Sequence, residues 1–308
     1  MPIAALFLIT CGTMEKIFDL ERELAEAKAE IARLQAEFDD LTMLYEGTIE
    51  HGEAVEDELA DKNMLLQKTQ KRLDEELADA TRYVMSILPD PREASPKTEW
   101  LLIPSTELGG DSFGYHEIDD DHMAFYLLDV CGHGVGAALL SVTAINVLRS
   151  SALPKTDFRD PAAVLGALNE AFPMEKQNNM YFTIWYGVYQ KSAGILTFSS
   201  AGHPPSILLR NDGTVHELTA KGVALGTFPD IQYRAVSQEI VAGDRLLLLS
   251  DGTFEVEMSE GEMLPFADFV EFLARPNGDK PQAVLDWIRS INGDGPLPDD
   301  FSLLRVVF

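Results

Sequence analysis

Four short acidic clusters beyond residue 100 have the residue types of a catalytic site. They are residues 109–111 (Gly-Gly-Asp), 129–134 (Asp-Val-Cys-Gly-His-Gly), 250–252 (Ser-Asp-Gly) and 299–300 (Asp-Asp). An aspartate beside a glycine is common in turns, which explains any one cluster taken alone. It does not explain why each aspartate stands at the start or end of a short apolar run. We therefore expect Asp111, Asp129, Asp251 and Asp299 to converge on one site.

Converging carboxylates imply a particular chemistry. They repel each other unless cations lie between them, and oxygen ligands of this kind favour Mg²⁺ or Mn²⁺ over zinc. Two such ions a few ångströms apart hold a nucleophilic oxygen and a phosphoryl oxygen for in-line attack. The sequence therefore predicts a two-ion site in a hydrolase.

Two of the clusters also allow other interpretations. The Gly-Gly-Asp of residues 109–111 is similar to a diguanylate cyclase signature, but the second acidic residue of that signature is absent. Residues 132–136 (Gly-His-Gly-Val-Gly) open an apolar helix-like segment and have the flexibility to hold a phosphate. They lack the Lys-Ser/Thr of a P-loop.

Composition excludes several classes of partner. The formal net charge of −27 argues against nucleic acid and against anionic membranes, since both need clustered Lys and Arg. Phosphorylated substrates remain possible if bound cations supply positive charge locally. The two cysteines, Cys11 and Cys131, form no zinc motif and fit a reducing cytoplasm. We expect Cys131 to be a buried bystander rather than a nucleophile.

The N-terminal part of the chain is predicted to form a coiled coil over residues 14–88 rather than a lone solvated helix. Two parallel strands, a homodimer, are the expected state, although the heptad pattern does not fix the number of strands. Every seventh residue from Ile17 to Ile87 is apolar with one exception, and charged residues flank this column. Gly52 and the polar residues Lys62 and Glu76 weaken the pattern in its second half. Residues 1–13 are apolar but too short to span a bilayer and lack a basic signal region. We expect them to be disordered or to precede the true start at Met14.

Proline ends the helical segment, because Pro89 and Pro91 cannot continue a helix. Residues 89–97 are predicted as a linker and residues 98–308 as the catalytic domain. Within that domain, short apolar runs bounded by Gly, Asp, Asn or Pro are predicted to be strands. Residues 211–213 (Asn-Asp-Gly) are predicted to form a hairpin turn. Helices are expected over 135–150, 161–172, 266–274 and 281–291. Strands in consecutive groups with helices between them favour an α+β fold with antiparallel sheets.

Five motifs in order resemble those of the PPM-type (protein phosphatase 2C-like) serine phosphatases, in the bacterial SpoIIE and RsbU branch. They are residues 108–111 (Leu-Gly-Gly-Asp), 128–134 (Leu-Asp-Val-Cys-Gly-His-Gly), 200–205 (Ser-Ala-Gly-His-Pro-Pro), 249–252 (Leu-Ser-Asp-Gly) and 299–302 (Asp-Asp-Phe-Ser). The resemblance extends over essentially all of residues 98–308.

That resemblance implies two antiparallel sheets packed face to face with helices outside, an αββα sandwich. It implies two Mn²⁺ or Mg²⁺ ions bridged by Asp129, with the Val130 carbonyl, Asp111, Asp251 and Asp299 completing their shells. Asp129 and Asp111 would be the catalytic carboxylates, and metal-bound water would be the nucleophile. The implied substrate is phosphoserine on a regulatory protein of the anti-sigma-factor antagonist type.

The chain departs from the family pattern in ways that keep a second interpretation open. Gly114 stands where members often have a second acidic residue, and no clear basic residue is available to hold the substrate phosphate. Arg92 and Lys97 are weak candidates; His133 is another, although a structural role in its turn is the simpler explanation, as it is for His203. The alternative is a pseudophosphatase scaffold. Relatives commonly carry a sensor or receiver domain before such a helix, so we expect such a domain either to be supplied in trans or to lie outside this sequence.

Overall fold

The computed structural model describes residues 3–105, 108–258, 261–293, 295 and 297–308, without the side chains of residues 3–13 and 15. It separates into two compact units, Met1–Asp74 and Glu75–Phe308. No helix within the described ranges has both the length and the apolar character needed to span a bilayer.

The first unit consists of one long helix, α1, which covers Ile3–Ile87 and continues into the second unit. The helix ends where Leu88 and Pro89 begin the proline-rich segment, as predicted. Its heptad side chains are exposed in the single chain: Ile17 is 54% exposed, Leu24 55% and Ile31 55%. The coiled-coil dimer therefore stays a prediction. The helix includes residues 3–13, but their side chains and residues 1–2 lie outside the described part, so the expectation for residues 1–13 also stays untested.

The second unit is built on two five-stranded antiparallel sheets, which confirms the predicted α+β fold. The first sheet has the order β1 (Lys97–Ile103), β10 (Phe301–Val307), β9 (Arg245–Leu249), β6 (Ser206–Leu209) and β7 (Val215–Leu218). The second has the order β2 (Ser112–Glu117), β3 (His122–Val130), β4 (Phe182–Gln190), β5 (Ile195–Ala201) and β8 (Val236–Glu239). The expected hairpin turn at residues 211–213 joins β6 to β7.

Four helices cover the two sheets, and three apolar clusters lie between the layers. The helices are α2 (Val135–Arg149), α3 (Pro161–Ala171), α4 (Phe266–Ala274) and α5 (Pro281–Asn292). Alternate side chains of β3 belong to different clusters: Phe125 and Leu127 pack between the sheets, whereas Tyr126 packs with α2 and α3. Strands buried on both faces therefore appear as continuous apolar runs in the sequence.

The end of α1 belongs to the second unit. Met85, Ile87 and Leu88 pack against its apolar clusters, and the Arg149 guanidinium donates to the carbonyl of Ile87 at 3.1 Å. The following segment is also held in place, because the Trp100 indole donates to the Pro89 carbonyl at 3.0 Å. Residues 75–88 are thus part of the compact body that carries the sheets.

A buried histidine on β2 leads to a prediction about pH and stability. The Nδ1 of His116 lies 3.3 Å from the Tyr126 hydroxyl, and its Nε2 is buried without a hydrogen-bond partner in the described structure. Burial, and secondarily the charge of Arg149 on α2, lowers the pKa of His116 to about 4. In the unfolded chain the imidazole of His116 has a pKa near 6.5, so as pH falls it is protonated before the imidazole in the folded protein. The stabilising contribution of a neutral His116 to the free energy of unfolding is therefore complete above about pH 6.5. About 3 kcal/mol of it is lost as the pH falls towards 4.

We expect His116→Gln to remove that part of the pH dependence. The free energy of unfolding, measured by urea denaturation between pH 4 and 7, should fall less steeply with acidification in the variant than in the wild type. His216→Gln, on the exposed side of β7, is the matched control and should follow the wild type. Identical pH slopes for His116→Gln and the wild type would contradict the prediction.

Candidate metal centre

The predicted aspartates lie at the ends of strands that are neighbours in the two sheets. Asp111 directly precedes β2 and Asp129 lies at the end of β3; these strands are antiparallel partners in one sheet. In the other sheet, Asp251 follows β9, and Asp299 precedes β10, the antiparallel partner of β9. Because the end of one antiparallel strand meets the start of the next, each sheet contributes a pair of carboxylates at one edge.

The two pairs lie at one site, because Asp129, Asp251 and Asp299 all line the same cleft. Burial, followed by the carboxylates of Asp251, Asp299 and Asp300, raises the pKa of Asp129 to about 7. The pKa of Asp111 is raised well above its usual value by burial and then by Asp129. Burial and Asp299 likewise raise the pKa of Asp251. Mutual repulsion of this kind arises when acidic groups share a poorly solvated site.

Asp300 holds the first and last of the four clusters together. Its Oδ1 accepts from the backbone N–H of Ser105 at 2.8 Å and from the Ser105 hydroxyl at 3.0 Å. Its Oδ2 accepts from the N–H of Gly110 at 2.7 Å and of Asp111 at 3.3 Å. The sequence predicts a role for Asp299 but none for Asp300. The pair Asp299-Asp300 was the feature of the sequence that could have pointed to this residue. The fold shows that the carboxylate of Asp300 positions the loop of Asp111.

Two glycines let the loops of the site come into backbone contact. A Cβ at Gly110 would lie 2.4 Å from the Val130 carbonyl oxygen, and a Cβ at Gly252 would lie 2.2 Å from the Asp300 carbonyl oxygen. Neither position therefore has room for a side chain. The close approach at Gly110 places the Val130 carbonyl, predicted as a ligand, beside the loop that carries Asp111.

The absence of an acidic residue at position 114 has a structural cause. A Cβ at Gly114 would lie 2.5 Å from the ring of Tyr126, which is fully buried and stacks on Tyr186 at 5.8 Å between ring centroids. The aromatic pair occupies the space that a longer side chain would need.

Two clefts open onto the acidic cluster, and both are lined by Asp129, Thr183 and Asp251. The first has a volume of about 580 Å³ and is also lined by His133 and Asp299. His133 is exposed, so it is available to a substrate. Neither Arg92 nor Lys97 is among the described lining residues. The Arg92 guanidinium instead pairs with Glu117 at 3.0 Å.

Two other residues singled out in the sequence make contacts that support the fold around the site. His203 is buried with its Nδ1 2.8 Å from the Thr183 hydroxyl, and burial lowers its pKa to about 3, so the imidazole is neutral. Cys131 is half-buried, not buried as expected, and its Sγ accepts from the Tyr181 N–H at 3.2 Å. Both contacts help to fix the walls of the clefts.

The donor set fits hard divalent cations. Every candidate ligand is an oxygen, and the buried Oδ2 of Asp111 has no hydrogen-bond partner in the described structure. Within the described ranges, however, no group of three or more Asp, Glu, His or Cys side chains is arranged to hold a metal ion by itself. Mg²⁺ typically takes one or two carboxylates and keeps several waters. The arrangement therefore fits ions whose shells are completed by the Val130 carbonyl and water.

Sequence comparisons identify the relatives of this chain. A family model described as Stage II sporulation protein E (SpoIIE) matches residues 119–308. The chain is 29% identical over 247 residues to phosphoserine phosphatase RsbU of Bacillus subtilis, covering 79% of this chain and 68% of RsbU. It is 29% identical over 155 residues to phosphoserine phosphatase RsbP of the same species, covering 49% of this chain and 38% of RsbP. The match thus spans about two thirds of one relative and well under half of the other.

Comparison with solved structures identifies the fold. The SiaA-PP2C domain of Pseudomonas aeruginosa matches with a TM-score of 0.66 at 25% identity, covering 78% of this chain and 98% of that domain. A structure of the PP2C phosphatase domain of SpoIIE from Bacillus subtilis matches with a TM-score of 0.60 at 19% identity, covering 68% of this chain and 62% of that one. The two antiparallel sheets with outer helices are therefore a PP2C fold. The chain belongs to the SpoIIE family of PP2C-type serine phosphatases.

Proposed function

We propose that this protein is a metal-dependent protein-serine/threonine phosphatase that hydrolyses phosphoserine on a regulatory protein of the anti-sigma-factor antagonist type. The observation that carries the proposal is the convergence of Asp111, Asp129, Asp251 and Asp299 from two sheets, where burial and mutual repulsion raise the pKa of Asp129 to about 7. Two relatives named phosphoserine phosphatases support the substrate class.

The proposed roles follow from the positions of the side chains. Asp129, Asp111, Asp251, Asp299 and the Val130 carbonyl would hold two Mn²⁺ or Mg²⁺ ions and would supply their oxygen ligands. Ions bound there would supply Lewis acidity that makes hydroxide available near neutral pH. Asp300 keeps the loop of Asp111 in place through its four hydrogen bonds. His133, exposed in the first cleft, contacts the substrate phosphate. RsbX, which shares the fold at 16% identity and a TM-score of 0.53, was crystallised with magnesium.

Metal addition tests the proposal directly. The full-length protein, stripped with EDTA, is assayed with p-nitrophenyl phosphate and with a phosphoserine protein substrate after adding Mn²⁺, Mg²⁺ or Ca²⁺. We expect phosphate release only with Mn²⁺ or Mg²⁺ and its loss when EDTA is restored. Release that is independent of metal would contradict the two-ion site, and no release under any condition would favour the scaffold interpretation.

We also propose that the helix of residues 14–88 forms a parallel homodimer and transmits a regulatory signal in the cytoplasm, with a sensor or receiver domain supplied in trans. The exposed apolar heptad side chains support dimerisation, because a stripe of this length is normally covered by a second helix. The packing of Met85, Ile87 and Leu88 against the catalytic body supports a physical connection from that helix to the site.

Removing residues 1–74 is expected to convert a dimer into a folded monomer. The cut falls at the boundary between the two compact units and keeps Met85, Ile87 and Leu88 in their clusters. Light scattering after size exclusion measures the mass, and rates with p-nitrophenyl phosphate report any change in activity. The full-length double variant Leu24→Lys, Ile31→Lys should also be monomeric if the heptad is the interface. A monomeric full-length protein, or a truncation that remains dimeric, would refute the coiled coil as the dimer contact.

A further inference from the structure

The second cleft at the acidic cluster has walls unlike those of the first. It has a volume of about 390 Å³ and is lined by Pro204, Pro205, Phe254 and Phe266, in addition to the aspartates. These apolar side chains are partly exposed, so they present aromatic and proline surface immediately beside Asp129 and Asp251. We refer to this site as the aromatic cleft.

The aromatic wall is held rigidly against the site. The backbone N–H groups of Phe254 and Glu255 both donate to the Asp251 carbonyl, at 2.9 and 2.7 Å. The Phe254 ring packs edge-on against Phe266, with the centroids 4.9 Å apart, and lies 5.7 Å from the centroid of Phe269. The positions of Phe254 and Glu255 are therefore tied to that of Asp251.

Two glutamates give the aromatic cleft a negative rim. Glu217, on β7, and Glu255 both line it, and both are exposed. Neither side chain forms an ion pair or a hydrogen bond within the described ranges. Two divalent ions would balance the four aspartates, so the charges of Glu217 and Glu255 would remain uncompensated.

We infer that the aromatic cleft binds an arginine side chain of the substrate protein, located within a few residues of the phosphoserine. This inference rests on the proposed function and specifies which phosphoserine sites the enzyme takes. A guanidinium stacks on aromatic rings and pairs with carboxylates, and its aliphatic stem covers apolar surface, so it matches Phe254, Phe266 and the two glutamates together. Lysine offers the charge without the planar stacking and should bind less well.

Phosphoserine peptides test the inference with the full-length protein and Mn²⁺. A set of peptides carries Arg, Lys, Ala or Glu at each of the four positions on either side of the phosphoserine, and kcat/KM is measured for each. At one or two positions we expect Arg to exceed Ala by roughly tenfold, Lys to lie between them, and Glu to be poorest. The ratio of Arg to Ala should fall as ionic strength rises, since the charges are exposed.

Variants locate the preference in the aromatic cleft. Glu255→Gln should reduce the Arg-to-Ala ratio to about two- or threefold, and Glu255→Lys should invert the order so that Glu exceeds Arg. Glu239→Gln, an exposed glutamate on β8 outside both clefts, should keep the wild-type ratio. The ratio is taken within each variant, so a general change in rate does not affect it.

The outcomes separate the inference from the function on which it rests. If p-nitrophenyl phosphate and all peptides are hydrolysed with no preference for a basic residue, the inference is overturned and the phosphatase assignment stands. A preference that survives in Glu255→Lys also overturns it, because the basic side chain must then bind elsewhere. If no substrate is hydrolysed, both fail together.

Discussion

Asp129→Asn is expected to lower the metal-dependent phosphatase rate by about a thousandfold, equivalent to ~4 kcal/mol of transition-state stabilisation. Asp129 is the carboxylate that the other aspartates affect most directly, since Asp251, Asp299 and Asp300 all raise its pKa. Asparagine keeps the shape of the side chain but removes the charge that would bridge two cations. The rate with p-nitrophenyl phosphate and saturating Mn²⁺ measures the effect.

The same substitution should have the opposite effect on the metal-free fold. Removing one of several mutually repelling carboxylates that share a poorly solvated site relieves repulsion, so the apo variant should melt at or above the wild-type temperature. Its gain in melting temperature on adding Mn²⁺ should largely disappear, because a ligand stabilises the fold only as far as it binds the native state. Asp120→Asn, in an exposed turn, serves as the charge-matched control. A variant that keeps the wild-type rate and the wild-type metal shift would remove Asp129 from the site.

Asp300→Asn should damage both stability and activity, which distinguishes it from a change at a metal ligand. Asp300 is 5% exposed, and its two oxygens accept four hydrogen bonds from Ser105, Gly110 and Asp111. An amide has one accepting oxygen, and its NH₂ group would face N–H donors. With buried donors left unpaired at about 1–3 kcal/mol each, we expect a loss of about 2–4 kcal/mol in the free energy of unfolding. We also expect a 10- to 100-fold lower rate, typical of losing a group that orients ligands.

The neighbouring residue is the matched control for Asp300. Asp299 is exposed, and the contact described for its side chain is the hydrogen bond that its Oδ1 accepts from the Asp300 N–H at 2.7 Å. Asp299→Asn should therefore lose activity while retaining nearly all of the unfolding free energy, as judged by urea denaturation without metal. Equal stability losses for the two variants, or a stable Asp300→Asn, would show that the hydrogen bonds of Asp300 do not hold the site.

Much of the fold can be predicted from the sequence because local rules and burial agree there. Helices α2 and α4 appear close to the predicted ranges 135–150 and 266–274. Strands buried on both faces, such as β3 and β9, stand out as apolar runs. By contrast β8 has mostly exposed residues, so its sequence carries little apolar signal and it was not predicted. Its place beside β5 is decided by backbone pairing.

The candidate site likewise has a part that could be predicted from the sequence and a part that could not. Asp111, Asp129, Asp251 and Asp299 were recognisable because glycine and strand boundaries are local features of the sequence. Local patterns along the chain were enough to predict the residue types of the site, the antiparallel fold class and the point where α1 ends. Which groups meet depends on how the sheets pack: Asp300 lies 190 positions along the chain from Gly110, yet its Oδ2 accepts a hydrogen bond from the Gly110 N–H at 2.7 Å. Tyr126 similarly excludes a side chain at Gly114, and Phe254 and Glu255 line a cleft with Pro204. Such contacts depend on how two sheets pack, and close packing between distant segments leaves no local pattern along the chain.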